Sequence, residues 1–411
     1  MKTTFLFFAL LLYSFSSLSQ ELSNDAWLED LQMYQSGLEQ KHIDVYNKIA
    51  KADFYAEIER IKASIAEQTD LETTIDLMRL TRKIGDGHTA ISLRRQGFHS
   101  YPFEVQNFSG EWRVIKVAEE YGDLLGMKLE KVDDVNIEEI AEKVGDVAQF
   151  VENEHSQIVR TAEFMTMGEL LYGLNITKEK TQARFTFGTD AGHKKSLAIH
   201  AISLQEYEHI PFKRIEPGVP EIQKPDSATY DFLWYTPVGG TDAVYIHFES
   251  YPEFEEMMAF GEGLVAYIFR NNVRQLIIDL RNNGGGDLYT GLVLAYALNL
   301  ADPVDWKSGV YVLCDNVTFS AATSNTALFR ELLNAKIVGE PTGSNPTGYQ
   351  DMDTFELPHS KLVVCYSKRF FKIQEEVTAG VQPDFPMKYE WKNFSQRKDN
   401  MLEWVIKRLK H

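Results

Sequence analysis

The chain has 411 residues, of which 42 are Lys or Arg and 60 are Asp or Glu, giving a formal charge of −18 at pH 7. It is long enough to bury two or three separate cores, and its acidity argues against a phosphate backbone or an anionic membrane surface as partner, because no basic stripe is available to neutralise one. Its two cysteines, Cys314 and Cys365, exclude a disulfide framework and read as buried strand thiols, with one bridge left open in an oxidising compartment.

The first residues, MKTTFLFFALLLYSFSSLSQ, combine an early cation at Lys2, an apolar run from Phe5 to Tyr13, and the small residues Ser17 and Ser19. That is the pattern of a secretory signal peptide over residues 1–19. The run is too short to span a bilayer, so the mature chain is expected in a periplasm or outside the cell, without membrane insertion. From Asp25 to Lys83 apolar residues recur at helical spacing: Trp27, Leu31, Tyr34 and Leu38, then Phe54, Ile58, Ile61 and Ile65, then Leu71, Ile75 and Met78. The spacing predicts a small helical domain over residues 20–97. The glycines of Ile84-Gly85-Asp86-Gly87-His88-Thr89 stop its last helix, and Ala90-Ile91-Ser92-Leu93 begins to alternate like a strand.

Between Tyr101 and Ile202 short alternating segments dominate, including Trp112 to Val117 and Ala183 to Phe187, and predict a β-rich module over residues 98–205. Within it, Leu124 to Val135 runs through a glycine-containing turn, a strand and a tight acidic turn before a helix-like stretch from Ile137. That order resembles the peptide-binding half of a PDZ domain. Residues 206–411 alternate strands with helices: Asp242–Phe248, Gln275–Leu280, Val310–Cys314 and Lys336–Val338 read as strands, and Phe254–Asn271, Leu288–Leu300 and Ala321–Leu333 as helices. This predicts an α/β domain with at least partly parallel pairing.

In such a sheet, ligands gather beyond the carboxyl ends of the strands. Two strand ends stand out. Arg281-Asn282-Asn283-Gly284-Gly285-Gly286-Asp287 follows a buried strand and precedes a helix, so its backbone N–H groups are free to aim at a ligand. It lacks the Gly-Lys-Ser/Thr ending of a nucleotide loop. Asp315-Asn316-Val317-Thr318-Phe319-Ser320-Ala321-Ala322 places Ser320 where strand becomes helix. A serine there reads either as an N-cap or as an exposed nucleophile, with the N–H of Ala321 and an N–H from Gly285 or Gly286 as oxyanion donors.

Together, LIIDLRNNGGGD, VTFSAA and KIVGEPTG resemble the tail-specific (C-terminal processing) and tricorn-core family of serine peptidases. The resemblance is strongest over residues 240–385. It implies an α/β fold with a ClpP/crotonase-like catalytic domain behind an N-terminal helical domain and a PDZ-like β-rich module, and it implies Ser320 as the nucleophile. The tail-specific branch uses a lysine shortly after the serine, but Val338 to Gly348 contains none. The tricorn-like branch takes a histidine from the helical domain, which implies His88 as general base, and a glutamate shortly before a Gly-Val-x-Pro-Asp element, here Gly380 to Asp384. Glu376 is nearest by offset, with Glu375 and Glu340 as competitors.

The expected protein is therefore an exported serine peptidase working through an acyl-enzyme, on peptide or protein substrates, with activity falling as the pH drops through about 6 to 7 and His88 protonates. A non-catalytic binder of a peptide or apolar ligand and an esterase are the alternatives on the same residues. No cofactor is expected, and neither a zinc pattern nor a calcium loop is present in the sequence. Sequons at Asn107, Asn175, Asn316 and Asn393 matter only in a eukaryotic secretory route.

Overall fold

The computed structural model describes residues 21–410; the signal-peptide reading of residues 1–19 lies outside them. Three helices come first, α1 (Asn24–Lys41), α2 (Lys51–Ser64) and α3 (Asp70–Ile84). Their apolar stripes turn inward as the spacing demands, burying Trp27, Leu31, Tyr34 and Leu38 of α1, Phe54, Ile58 and Ile61 of α2, and Ile75 and Met78 of α3. Thr69 and Glu72 form a capping box at the start of α3. Gly85, at φ 79°, ends it in the left-handed conformation that a side chain makes costly. Residues 86–89 then turn into the short strand β1 (Ala90–Ser92).

A predominantly antiparallel sheet follows, built from β2 (Phe103–Phe108), β3 (Glu111–Ala118), β4 (Lys128–Val132), β5 (Val135–Asn136), β6 (Gln182–Gly188), β7 (Lys194–His200) and β8 (Phe212–Arg214). Between β5 and β6 run α4 (Ile137–Gly145), α5 (Glu154–Phe164) and α6 (Gly168–Gly173), and α7 (Leu204–His209) precedes β8. Phe103 packs edge to face against both Phe185 and Phe187, all three within the core this sheet shares with the N-terminal helices.

The remaining chain supplies β9 (Leu233–Pro237), β10 (Ala243–Phe248), α8 (Phe254–Asn271), β11 (Gln275–Asp279), α9 (Leu288–Leu298), β12 (Val310–Cys314), α10 (Ala321–Leu333) and β13 (Lys336–Gly339). After these come β14 (Thr347–Glu356), β15 (Val363–Lys372), β16 (Phe385–Pro386), α11 (Trp391–Phe394) and α12 (Asn400–Leu409). A six-stranded sheet runs in the order β16-β13-β12-β11-β10-β9, parallel throughout except for the edge strand β9. Strand β12 is buried along its whole length and β11 at all but its first residue, which is why they read as unbroken apolar runs in the sequence. Helices α8, α9 and α10 cover one face, and α12 covers the other through Met401, Leu402, Val405 and Ile406.

The long hairpin of β14 and β15 leaves this sheet and pairs with β1, Ala90 opposite Cys365 and Ser92 opposite Val363. Leu357, Leu362, Val364 and Tyr366 of the hairpin region join the core formed by the N-terminal helices and the antiparallel sheet. A β-ribbon drawn from late in the sequence thus holds the segment around residue 88, and this positions the site. Cys314 and Cys365 are free buried thiols on separate strands. Among the described residues no helix is long and apolar enough to cross a membrane.

Candidate active site

Strands β11 and β12 are parallel neighbours, with Asp279 opposite Leu313, so the loops leaving their carboxyl ends lie side by side. Hydrogen bonds fasten one loop to the other. The Asp315 carboxylate accepts from the backbone N–H of Asn282, Val317 and Thr318, the Thr318 hydroxyl donates to the Leu280 carbonyl at 2.9 Å, and Phe319 N–H donates to the Asn283 carbonyl at 3.0 Å. The wholly buried Asn283 side chain donates to the Phe248 carbonyl and accepts from Gly285 N–H. Both loops are held from below, which leaves their upper surface for a ligand.

Ser320 sits at the start of α10 with φ 52° and ψ −122°, and its side chain caps no backbone N–H. The N-cap reading therefore drops out. That backbone conformation is sparsely populated for a residue with a side chain and costs about 1–3 kcal/mol. It turns the hydroxyl up from the sheet, as a strained strand-to-helix elbow does. The Ser320 N–H donates to Ser344 Oγ at 2.7 Å, and Ser344 in turn donates to Thr323 Oγ1.

His88 Nε2 lies 2.9 Å from Ser320 Oγ, across 232 residues of sequence. The imidazole is buried, at 4% exposure, and stands against the Phe319 ring with centroids 5.2 Å apart. Burial pulls its pKa below the ordinary histidine value; the charge of Asp86 and the backbone carbonyl of Tyr349 oppose that, and Arg160 adds to it. The ring is therefore neutral at physiological pH, the form able to accept a proton.

The loop carrying His88 is fixed by Asp86. Its Oδ1 accepts from the His88 backbone N–H at 3.0 Å and from the Ser367 hydroxyl of β15 at 2.7 Å. Its Oδ2 accepts from His42 Nε2 at 2.8 Å, because His42 Nδ1 is already taken as acceptor by the Asp44 N–H. Burial alone would raise the Asp86 carboxyl, yet the His42 and Ser367 hydrogen bonds outweigh it and hold the group below the usual aspartate range. Nothing in the sequence singles out His42 or Ser367, since both act only through contacts made on folding.

The other expected site residues are placed as follows. A Cβ on Gly285, at φ 100°, would come within 2.7 Å of Ser320 Cβ and 3.3 Å of Ala321 N, so the glycine turn backs directly onto the serine. Of the three expected oxyanion donors, Gly285 N–H is occupied by Asn283 Oδ1. The N–H groups of Gly286 and Ala321 have no acceptor among the described residues. Glu376 is exposed, engaged only through its backbone carbonyl by Gln374, and is not brought to the imidazole. Glu375 pairs with Lys372 at the surface. Glu340, pushed up to about 7 by burial and by Asp315, faces that aspartate rather than His88. The carboxyl that does lie beside the His88 loop is Glu152, between α4 and α5. A Cβ on Gly87 would sit 2.7 Å from its Cβ and 3.1 Å from its Oε2. Sequence reasoning missed it because one glutamate in the acidic run Glu152-Asn153-Glu154 looks like solvated charge. Among the described residues no cluster of His, Cys, Asp or Glu could hold a metal ion.

Residues 242–387, which span the six-stranded sheet's parallel strands, both loops and the hairpin, match peptidase family S41. Over these residues, about a third of the chain, the sequence is similar to the serine peptidases of that family. The whole described fold resembles mature CPAF, with a TM-score of 0.65 at 12% identity over 94% of this chain and 97% of that one. CPAF complexed with lactacystin gives 0.64 at 13% identity, over 94% and 98%. The photosystem II D1 C-terminal processing protease aligns over 94% of this chain and 97% of its own at 13% identity, with a TM-score of 0.43. No curated protein matches the chain.

Proposed function

We propose that the chain is an exported peptidase that cleaves peptide bonds through an acyl-enzyme on Ser320, with His88 as the general base, on a ClpP/crotonase-like domain served by a PDZ-like module. The observation that carries this reading is the 2.9 Å contact between His88 Nε2 and Ser320 Oγ at the carboxyl ends of two adjacent parallel strands. Ser320 Oγ attacks the substrate carbonyl carbon while its proton passes to His88 Nε2. The carbonyl oxygen, now an anion, is met by N–H groups at Gly286 and Ala321. Collapse breaks the C–N bond, and His88 delivers the proton to the departing amine. Water then repeats the sequence on the ester and restores the serine.

The strained backbone at Ser320 and the neutral, buried ring support the roles assigned. The order of β4, the tight turn at Asp133, β5 and α4 supports the PDZ-like assignment, with an extended peptide end as its ligand. The test is covalent labelling with a fluorophosphonate probe, located by mass spectrometry. Stoichiometric modification of Ser320, lost in Ser320→Ala and slowed in His88→Ala, is the expected result. An unlabelled Ser320 in folded protein would sink the assignment.

A further inference from the structure

The two N–H groups assigned to the carbonyl oxygen belong to separate elements, Gly286 to the turn before α9 and Ala321 to the first turn of α10. What ties one to the other is Tyr251, in the loop after β10. Its ring occupies the side of Gly286 on which a side chain would stand: a Cβ there would come within 2.6 Å of Tyr251 Cδ2 and 2.9 Å of its Cγ. The Tyr251 hydroxyl donates to Asn325 Oδ1 at 2.6 Å, and Asn325 Nδ2 donates to the Leu288 carbonyl at 3.2 Å. The end of the glycine turn is thus held twice, by the ring at Gly286 and by the amide at Leu288.

Asn325 stands one helical turn after Ala321, so both project from one face of α10. It is wholly buried, and Gly291 of α9 makes the room for it: a Cβ there would lie 2.0 Å from Asn325 Oδ1. A glycine inside a helix is less stable than alanine by about 1 kcal/mol, and α9 carries that penalty at the point where the amide enters. Tyr251 is backed by the Phe248 ring, edge-on with centroids 4.8 Å apart, and the Phe248 carbonyl accepts from the Asn283 side chain. Burial, and then the Asp287 charge, hold the Tyr251 phenol well above the ordinary tyrosine range, so its hydroxyl remains a donor.

We propose that Tyr251 and Asn325 are positioning residues that set the spacing between the two oxyanion donors, Gly286 N–H and Ala321 N–H. The inference deepens the acyl-enzyme reading above and rests on it. Such donors act only when they are already held where the negative oxygen forms, so that nothing reorganises during the reaction. A turn of three consecutive glycines does not hold itself, because glycine is the least restricted residue. The brace from α10 supplies that constraint, and it starts from the same helix face that carries Ala321. Loss of the brace should therefore weaken binding of the transition state and leave binding of the ground-state peptide as it was.

The experiment is Tyr251→Phe, which keeps the ring and removes the hydroxyl. Expected are a fall in kcat of about 10²-fold, the scale of a misplaced group, with KM little changed, and an equal loss of affinity for a peptide boronic acid, whose tetrahedral adduct on Ser320 puts an oxygen in the same place. Asn325→Ser should lose as much, and the double variant no more than the weaker single, since both break one brace. A side chain with only a structural role would lower the unfolding temperature and leave kcat and boronate affinity of the folded protein unmoved. That result overturns the inference, as does a fall in kcat with boronate affinity intact. Should Tyr251→Phe not fold, Asn325→Ser is read by the same two measurements. In ¹⁵N-labelled protein the amide resonances of Gly286 and Ala321 should both move in Tyr251→Phe, and resonances that stay in place overturn the inference without any turnover. Because that arm needs no reaction, a wild-type Ser320 that takes no fluorophosphonate defeats the acyl-enzyme reading while the amide resonances still judge the brace.

Discussion

Gly285 and Ser320 touch so closely that the glycine has no room for a single added methyl group. A Cβ at Gly285 would lie 2.7 Å from Ser320 Cβ and 2.9 Å from the Phe319 carbonyl oxygen, on a backbone at φ 100° that side chains rarely adopt. Gly285→Ala should therefore displace the serine loop while the six-stranded sheet stays folded. A misplacement of about 1 Å costs on the order of 10²-fold in rate, so fluorophosphonate labelling of Ser320 should slow by at least that factor. Labelling at the wild-type rate would show that the turn does not set the serine's position.

The strain at Ser320 predicts a stability difference between two inactive variants. Alanine keeps the unfavourable φ of 52°, whereas glycine relieves about 1–3 kcal/mol against about 0.4–1 kcal/mol of added unfolded-state entropy. Ser320→Gly should unfold at a higher temperature than Ser320→Ala in calorimetry. The reverse order would mean that the elbow stores no strain.

Burial lowers the His88 pKa, and this moves the acid limb expected from an unperturbed imidazole. The base is lost only when the ring protonates, so activity should persist below pH about 6.5, where a solvated histidine is half charged, and fall at lower pH. The pH dependence of kcat/KM for a small peptide substrate measures this. A half-maximum at or above pH about 6.5 would contradict the buried, neutral ring.

Asp86 ties the histidine loop to β15 and to His42, accepting from three donors. Its folded pKa lies below the ordinary value, so its contribution to stability is complete above the unfolded pKa of about 3.9 and fades as the pH falls through the folded one. Asp86→Ala should lower unfolding free energy by about 2–4 kcal/mol at pH 7, and its deficit relative to wild type should shrink in acid. Denaturant unfolding at pH 7 and below pH 3 tests both parts; a deficit independent of pH would remove the carboxylate from the account.

Much of the fold is legible where a segment's own chemistry decides it. Val310–Cys314, Phe254–Asn271 and Ala321–Leu333 begin and end in the structure where the apolar runs and the glycine or asparagine stops begin and end in the sequence. The hairpin of β14 and β15 is not legible in that way. Its outer halves alternate weakly and carry exposed residues such as Met352 and Phe370, and its partner β1 lies more than 250 residues earlier. For the candidate site, the turn at Ser320 and the glycine loop are local, and His88 is reached through resemblance. Distance along the chain from residues 380–384 is a poor guide to the carboxyl beside the His88 loop, because that offset leads to Glu376, which is exposed.

What the residues determined by themselves is local: buried parallel strands from continuous apolar runs, loops at their carboxyl ends from glycine and polar residues, and a serine at a helix start. What only the tertiary structure decided is which distant groups face one another, namely His88 with Ser320, Asp86 with His42 and Ser367, and Glu152 with Gly87. The reason is that burial and proximity belong to the packed chain: a glutamate whose flanking residues favour solvent is carried inside by the docking of three separate segments, and no periodicity in its neighbours records that.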